Sequence, residues 1–286
     1  MRLVLILDYR SEEKKVDSTT NPQGTQVPAT STKVSARRVD VRLRPFPVAI
    51  FVIGIIILTI SAFFVHAHPR PYPIDLQTTD DVQSMALPAF VVGSIDFFSA
   101  VNDPLPSIIA LGAWLVGLAV IGLIVRLTGR SPVKWFASAV GIVATVGIAS
   151  GINYIYNLLV DRPRPGTFHE HIHILLHRPE NSFPSGHTEH DVAYYGFLLF
   201  LSFTPPVRSW KYRWILIPFQ IYCVVDILSI GFSRIYEGEH WLTDVLAGYL
   251  SGAIWLLMCI FLYRWITAWI ALKLEDRKQA ATSTAS

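Results

Sequence analysis

Apolar positions gather into six long runs separated by polar segments, and this alternation at a scale of about twenty residues is the strongest pattern in the chain. The runs cover roughly 46–67, 104–127, 133–159, 188–203, 214–232 and 241–270. A helix needs about 20 mostly apolar residues to cross a bilayer. The fourth run opens with Glu189, His190 and Asp191, a start that also fits a surface helix. Its continuation, 192–203, is apolar on every face, which points to burial in lipid or in a bundle. The pattern predicts an all-α, polytopic membrane protein built on a bundle of six transmembrane helices.

Some details refine these runs. Gly112, Gly117 and Gly122, then Gly141, Gly147 and Gly151, are small residues of the kind that let membrane helices approach closely. Asp226 lies deep in the fifth run, and intramembrane carboxylates face the bundle interior. A structural hydrogen bond to a polar neighbour such as Asn153 is the expected use, with proton relay as the alternative. The first 45 residues contain one short apolar stretch, 3–7, too short to span and followed by no small-residue cleavage site. Residues 11–44 are polar and read as a disordered tail. The expected organisation is a tail at 1–45, a first spanning helix with its following loop at 46–103, the main transmembrane domain at 104–272, and a second tail at 273–286. The loop at 68–103 carries an apolar stretch at 85–92, which reads either as an interfacial or re-entrant helix or as an ordinary connection.

Composition agrees with a membrane protein. Only 16% of residues are charged and 52% are hydrophobic, against about 25% charged in soluble domains. A soluble globular fold and a disordered chain are both excluded. The net charge of +3 gives no reason to expect a nucleic-acid partner. Cys223 and Cys259, both in apolar runs, rule out a disulfide scaffold and a cysteine-rich zinc site.

The placement of charge says more than its sum. Of 24 Lys and Arg, nine precede residue 45, three fall in 126–134, three in 208–213, and four from 264 onward. Positive charge accumulates on the cytoplasmic side, so six spans put both termini in the cytoplasm. Arg70, Arg162, Arg164, Arg178 and Arg234 remain outside. Four of these five lie in short segments near the spans, together with histidines and carboxylates. One segment carries Asn157, Asp161, Arg162 and Arg164-Pro165. A second reads Pro184-Ser185-Gly186-His187, directly before the fourth span. A third reads Ser233-Arg234, then His240 and Asp244 at the start of the sixth.

Each piece has a plain chemical reading. His240 and Asp244, four apart on a helix, share a face, so the carboxylate can orient the imidazole. Ser185 and Gly186 present backbone N–H groups at a helix N-terminus, a ready anion site. Taken singly, these are also an ordinary surface ion pair and an ordinary N-cap. His187 can donate a proton to a leaving oxygen, and Arg164 and Arg234 can grip phosphate oxygens. Together they describe a site for a tetrahedral anion on one face of the membrane. The loop histidines His169, His171, His173 and His177 read as polar loop residues more readily than as metal ligands.

These segments resemble the signature motifs of the type 2 phosphatidic acid phosphatase family, which shares its site with vanadium haloperoxidases. The family pattern is Lys-x6-Arg-Pro, then Pro-Ser-Gly-His, then Ser-Arg-x5-His-x3-Asp. The second and third are complete here. In the first, Arg164-Pro165 matches but Asn157 stands where the family has Lys. The resemblance covers roughly 104–264 and implies a six-helix core that cleaves lipid phosphate or diphosphate esters at the extracytoplasmic face of the plasma membrane, without metal or other cofactor. It implies His240 as the nucleophile that carries the phosphoryl group, Asp244 as its orienting partner, and His187 as general acid and then base. Arg164, Arg234, Ser185 and the Gly186 N–H would form the phosphate cradle. Asn157 removes one cation from that cradle, with Arg162, Arg178 and His190 as candidates to compensate. Phosphoryl transfer to an acceptor other than water, a weakly active or non-catalytic member, a membrane scaffold and a lipid transporter are the competing readings.

Overall fold

Prolines and one left-handed turn punctuate the long apolar stretches and decide where the helices begin and end. In this computed structural model, residues 4–5, 41–42, 45–167, 172–174 and 181–283 are described. Apart from a two-residue antiparallel pairing of β1 (Val4–Leu5) with β2 (Val41–Arg42), the described chain is helical. The helices are α1 (Pro45–Ala67), α2 (Pro73–Gln83), α3 (Ala89–Val101), α4 (Pro104–Leu127), α5 (Val133–Val160), α6 (Gly186–Ser202), α7 (Ile217–Tyr236) and α8 (Leu242–Ser283). The tail expected to be disordered lies otherwise outside the described residues, as do His169, His171, His177 and Arg178.

Proline sits in the first turn of α2, α4 and α7, where its missing N–H costs no hydrogen bond. α5 ends at Asp161 with φ 52°, and Pro163 and Pro165 prevent its continuation. The chain forms two compact units, 1–50 and 51–286, and the motifs all lie in the second.

Five helices, α1, α4, α5, α7 and α8, are long and apolar enough to cross a membrane. With the 17-residue α6 they make the six-helix bundle of a multi-pass membrane protein. α6 is short but the most enclosed: Tyr194, Tyr195, Phe197 and Leu198 are buried in one cluster with Ile142 of α5, Cys223 of α7 and Cys259 of α8. The lipid-facing helices show the inverse pattern, with exposed Phe63 on α1, Ile108 on α4, Val140 on α5 and Leu228 on α7. α8 runs 42 residues, about 63 Å at 1.5 Å per residue, well beyond the bilayer core. The segment 273–283 expected as tail is a helical continuation.

The loop at 68–103 folds as two helices. Its apolar stretch is split between the α2–α3 connection and the start of α3, which carries Asn102 and Ser99 to the polar interior. The expectation for the glycines holds at two positions. A Cβ on Gly122 would meet Phe136 at 3.1 Å and one on Gly141 would meet Phe197 at 2.8 Å, whereas Gly112, Gly117, Gly147 and Gly151 face open space. Asp226 is buried and accepts 2.9 Å from Asn102 Nδ2. Its partner comes from the end of α3, and Asn153 is committed elsewhere, to Glu189 at 2.7 Å.

Candidate active site

The three motif segments are stitched together first through their backbones. Ser182 N donates to Arg162 O at 2.8 Å, Ser185 N to Asp244 O at 3.0 Å, and Glu239 N and His240 N to Arg234 O at 3.0 and 3.2 Å. These bonds leave few free backbone groups in a buried place, where an unpaired one is costly. They also fix where the side chains point.

His240 is buried at the turn between α7 and α8. Its Nδ1 lies 2.8 Å from Ser182 O, an acceptor, so Nδ1 carries the proton and Nε2 keeps a lone pair. Asp244 Oδ2 is 3.8 Å from Nδ1, an electrostatic neighbour rather than the hydrogen-bond partner expected from the spacing. Nε2 faces Arg164 Nη1 at 3.3 Å. Burial and then the Arg164 charge push the imidazole pKa below its ordinary value, opposed by Asp244. The ring is therefore neutral near pH 7, the form a nucleophile needs.

Asp244 is itself held from two sides. Oδ2 accepts from Trp241 N at 3.0 Å, and Oδ1 from Arg162 Nη1. Arg162 is fully buried, and its Nη2 reaches Asp75 Oδ2 at 2.6 Å. Burial alone would lower the pKa of this guanidinium, but Asp244 and Asp75 offset that and hold it above its ordinary value. Asp75 also accepts from Tyr72 N at the start of α2 and from Thr243 N and Oγ1, each at 2.9 Å. Arg162 is thus a fixed strut behind Asp244 and is not available to replace the charge missing at Asn157.

In front of this layer lies a cavity of about 620 Å³. Arg164, His240, His187, Gly186, Asn157 and Asn181 form its polar end, and Pro104, Ile108 and Leu111 of α4 with Val146, Tyr154 and Leu158 of α5 form its apolar wall. Ile108, Tyr154 and Leu158 also carry exposed surface. Arg164, half-buried, is oriented by a 2.9 Å bond from Nη1 to Glu239 O. Asn157 Nδ2 donates to Pro184 O at 3.3 Å and to Asn153 Oδ1 at 3.1 Å, so it braces the start of the second motif while lining the cavity. His190, the other candidate for the missing charge, lines the cavity too, with Nδ1 3.0 Å from Asp191 Oδ1.

Two expected cradle residues stand elsewhere. Arg234 is fully buried and its guanidinium is taken up by Glu239 Oε2 at 3.0 Å, Glu237 Oε2 at 2.9 Å and Ser99 Oγ at 2.5 Å. It does not line the cavity. Ser185 is buried as well; it precedes α6 but makes no side-chain cap bond, and its Oγ accepts from Thr188 Oγ1 at 3.0 Å. Gly186 does reach the cavity wall, and a Cβ there would meet Asn153 Oδ1 at 3.2 Å.

The ligand atoms of His187, Glu239 and His240 lie within 4.8 Å of one another, close enough to ask whether a cation could sit there. Guanidinium nitrogens already approach Nε2 of His240 and Oε2 of Glu239. A cation would meet like charge, so the set fits an anion better.

Asp75, Ser182 and Glu239 were not singled out from the sequence. Asp75 meets Arg162 across 87 positions, and Ser182 acts through a backbone carbonyl, so no local pattern marks either. Glu239 carried a signal, a carboxylate directly before the motif histidine. The loop at 172–174 is fastened by Gln83, which donates to His173 O at 2.8 Å and accepts from His173 N at 3.0 Å. Gly238, with φ 70°, lies where a Cβ would be 2.5 Å from that same carbonyl, a conformation and approach suited to glycine alone.

Comparison with known proteins agrees with the motif pattern. Residues 135–270 match the family model described as the PAP2 superfamily. The chain is 33% identical over 141 residues to undecaprenyl-diphosphatase BcrC of Bacillus subtilis, covering 49% of this chain and 64% of that protein. It is 29% identical over 107 residues to an undecaprenyl-diphosphatase of Sulfolobus acidocaldarius, covering 37% and 46%. The chain thus spans less than two thirds of the length of these curated relatives. In fold it is similar to a transmembrane PAP2 type phosphatidylglycerolphosphate phosphatase from Bacillus subtilis, with TM-score 0.55, 20% identity, and coverage of 77% of this chain and 96% of the other.

Proposed function

We propose, from the match of residues 135–270 to the PAP2 superfamily model and the motif geometry, that the protein is an integral membrane phosphatase that hydrolyses a lipid phosphate or diphosphate ester through a phosphohistidine. The observation that carries this reading is His240 Nε2. It is neutral, its lone pair is set by the bond from Nδ1 to Ser182 O, and it stands 3.3 Å from Arg164 at the polar end of a cavity whose other wall is apolar.

The phosphoryl group enters between Arg164 and the Gly186 N–H, which offset its negative charge as the transition state forms. Nε2 attacks phosphorus in line, the P–O bond to the lipid breaks, and His187 gives its proton to the departing oxygen. His187 then takes a proton from water, whose oxygen attacks phosphorus. The P–N bond breaks, phosphate leaves, and His240 is neutral again. Arg162 and Asp75 hold Asp244 beside the imidazole and stabilise the positive charge it gains. No step needs a metal. The acyl or prenyl chain would lie along Ile108, Leu111 and Leu158.

The side of the membrane follows from the Lys and Arg distribution. Both termini are cytoplasmic and the site is extracytoplasmic, in the plasma membrane. The deciding experiment is phosphate release from a panel of monophosphate and diphosphate lipids in detergent, comparing wild type with His240→Ala. Equal release from both proteins on every lipid would defeat the enzyme reading. Release that appears only when a lipid or sugar acceptor is added would make the protein a phosphotransferase.

A further inference from the structure

Glu239 is a carboxylate placed where a phosphate site should be short of negative charge. It is buried, in the turn immediately before His240. Its Oε2 lies 3.0 Å from Arg234 Nη1 and 3.9 Å from His187 Nδ1, and ligand atoms of Glu239, His187 and His240 fall within 4.8 Å of one another. Its carbonyl oxygen holds Arg164 at 2.9 Å. The carboxylate therefore touches or approaches the groups that a phosphoryl oxygen would use, and it brings the same chemistry: an oxygen anion paired with guanidinium and imidazole.

We infer that Glu239, which like Arg234 stands behind the cavity lining formed by His187 and His240, is a resident anion at the edge of the phosphoryl subsite and must exchange with the substrate's phosphate oxygens for Arg234 to join the site. Arg234 explains the exchange. In this structure it is turned to Glu237 and Glu239, away from the cavity. Once an incoming phosphoryl group displaces the Glu239 carboxylate, Arg234 Nη1 has an oxygen anion to take in its place. Together with Asn157, which contributes no charge, the resident carboxylate makes the empty site less positive. The cost of expelling Glu239 falls on every anion that binds, so it sets affinity while the chemical step is left to His240 and His187.

This inference rests on the reading of the site as a phosphate-ester hydrolase, and its test uses a readout separate from turnover. Inorganic phosphate binding to the purified full chain is measured by calorimetry for wild type, Glu239→Gln and Glu237→Gln, with KM and kcat on a lipid phosphate measured in parallel. Glu239→Gln keeps an acceptor for Arg234 but loses the charge. Phosphate should bind about tenfold tighter to it, and KM should fall by a similar factor while kcat stays within about threefold. Glu237→Gln, which relaxes Arg234 without clearing the subsite, should change phosphate affinity less than threefold. Unchanged or weaker phosphate binding to Glu239→Gln overturns the inference, because that is what a purely structural brace for Arg234 would give. Equal tightening in both variants overturns it too. Should Glu239→Gln fail to fold, Glu239→Asp withdraws the charge by one methylene and should bind phosphate more tightly than wild type; no gain there overturns the proposal. Tighter phosphate binding without hydrolysis of any lipid would sink the hydrolase reading and leave the resident anion standing. Hydrolysis by wild type without tightening in the variants would do the reverse.

Discussion

Arg162 and Arg164 are two residues apart and belong to opposite regions of the site. Arg162 is fully buried, paired with Asp75 and Asp244, and packed by the rings of Tyr72 and Trp241 at 5.8 and 5.9 Å. Arg164 is half-buried, donates to the Glu239 backbone carbonyl, and is turned toward the His240 lone pair at the cavity wall. The first region is a closed ion-pair layer and the second an open anion-binding wall. A guanidinium locked between buried carboxylates fixes geometry, whereas one that faces a cavity can meet a ligand. Pro163 between them separates the two directions.

Substitutions on either side should therefore fail in different ways. The largest effect is expected at the reacting atom itself. His240→Ala should lower phosphate release by about 10⁴-fold or more, with a thermal unfolding midpoint in detergent close to wild type. In the closed layer, Asp75→Asn strips Arg162 of one of its two carboxylates. Breaking a buried pair costs about 3–5 kcal/mol, so this variant should show its loss mainly as a lowered unfolding midpoint. A variant as stable as wild type would put the structural weight on Asp244 and Thr243 instead.

At the open wall, Arg164→Gln should leave stability nearly unchanged and cut kcat/KM by about 10²-fold, the scale of one lost oxyanion contact. It should also move the pH profile. Burial, and then the Arg164 charge, keep the His240 pKa below its ordinary value of 6.5, so wild type keeps its neutral nucleophile, and its activity, to below that pH. Removing the repulsion raises the pKa, and the acid limb of kcat/KM should shift upward in pH. An unmoved limb would mean that Arg164 does not act on His240. The smallest change is expected for Asn157→Lys. A lysine can still donate to Pro184 O and adds the cation that the family pattern carries, so activity on a monophosphate lipid should hold or rise, by up to about tenfold. A large loss would show that the amide bonds to Asn153 and Pro184 are needed as they are.

The spanning helices were readable because an apolar run of twenty residues has one favourable environment. α6 was the marginal one, and its polar opening proved to be the floor of the cavity: Glu189, His190 and Asn153 meet there. The bundle's interior pairing was not readable. Asp226 binds Asn102 rather than Asn153, because α3 folds back beside α7 and brings its last turn to that depth. Four of six glycines taken as packing contacts face open space, since a glycine records that a neighbour could approach and not that one does.

For the site, the chain by itself carries the motif spacings: His240 and Asp244 one turn apart, Gly186 and His187 at a helix start, Arg164 beside two prolines. Those spacings are local, fixed by helix geometry and proline stereochemistry. The tertiary structure decided which arginine faces the ligand, which acceptor sets the His240 tautomer, and which carboxylate steadies Arg162. Ser182, Asp75 and Glu239 enter through contacts whose partners are separated by 58, 87 and 5 residues. The two long contacts leave no periodic trace, because a hydrogen bond or an ion pair acts between groups close in space, and in a low-dielectric interior its strength depends on distance and burial rather than on order along the chain.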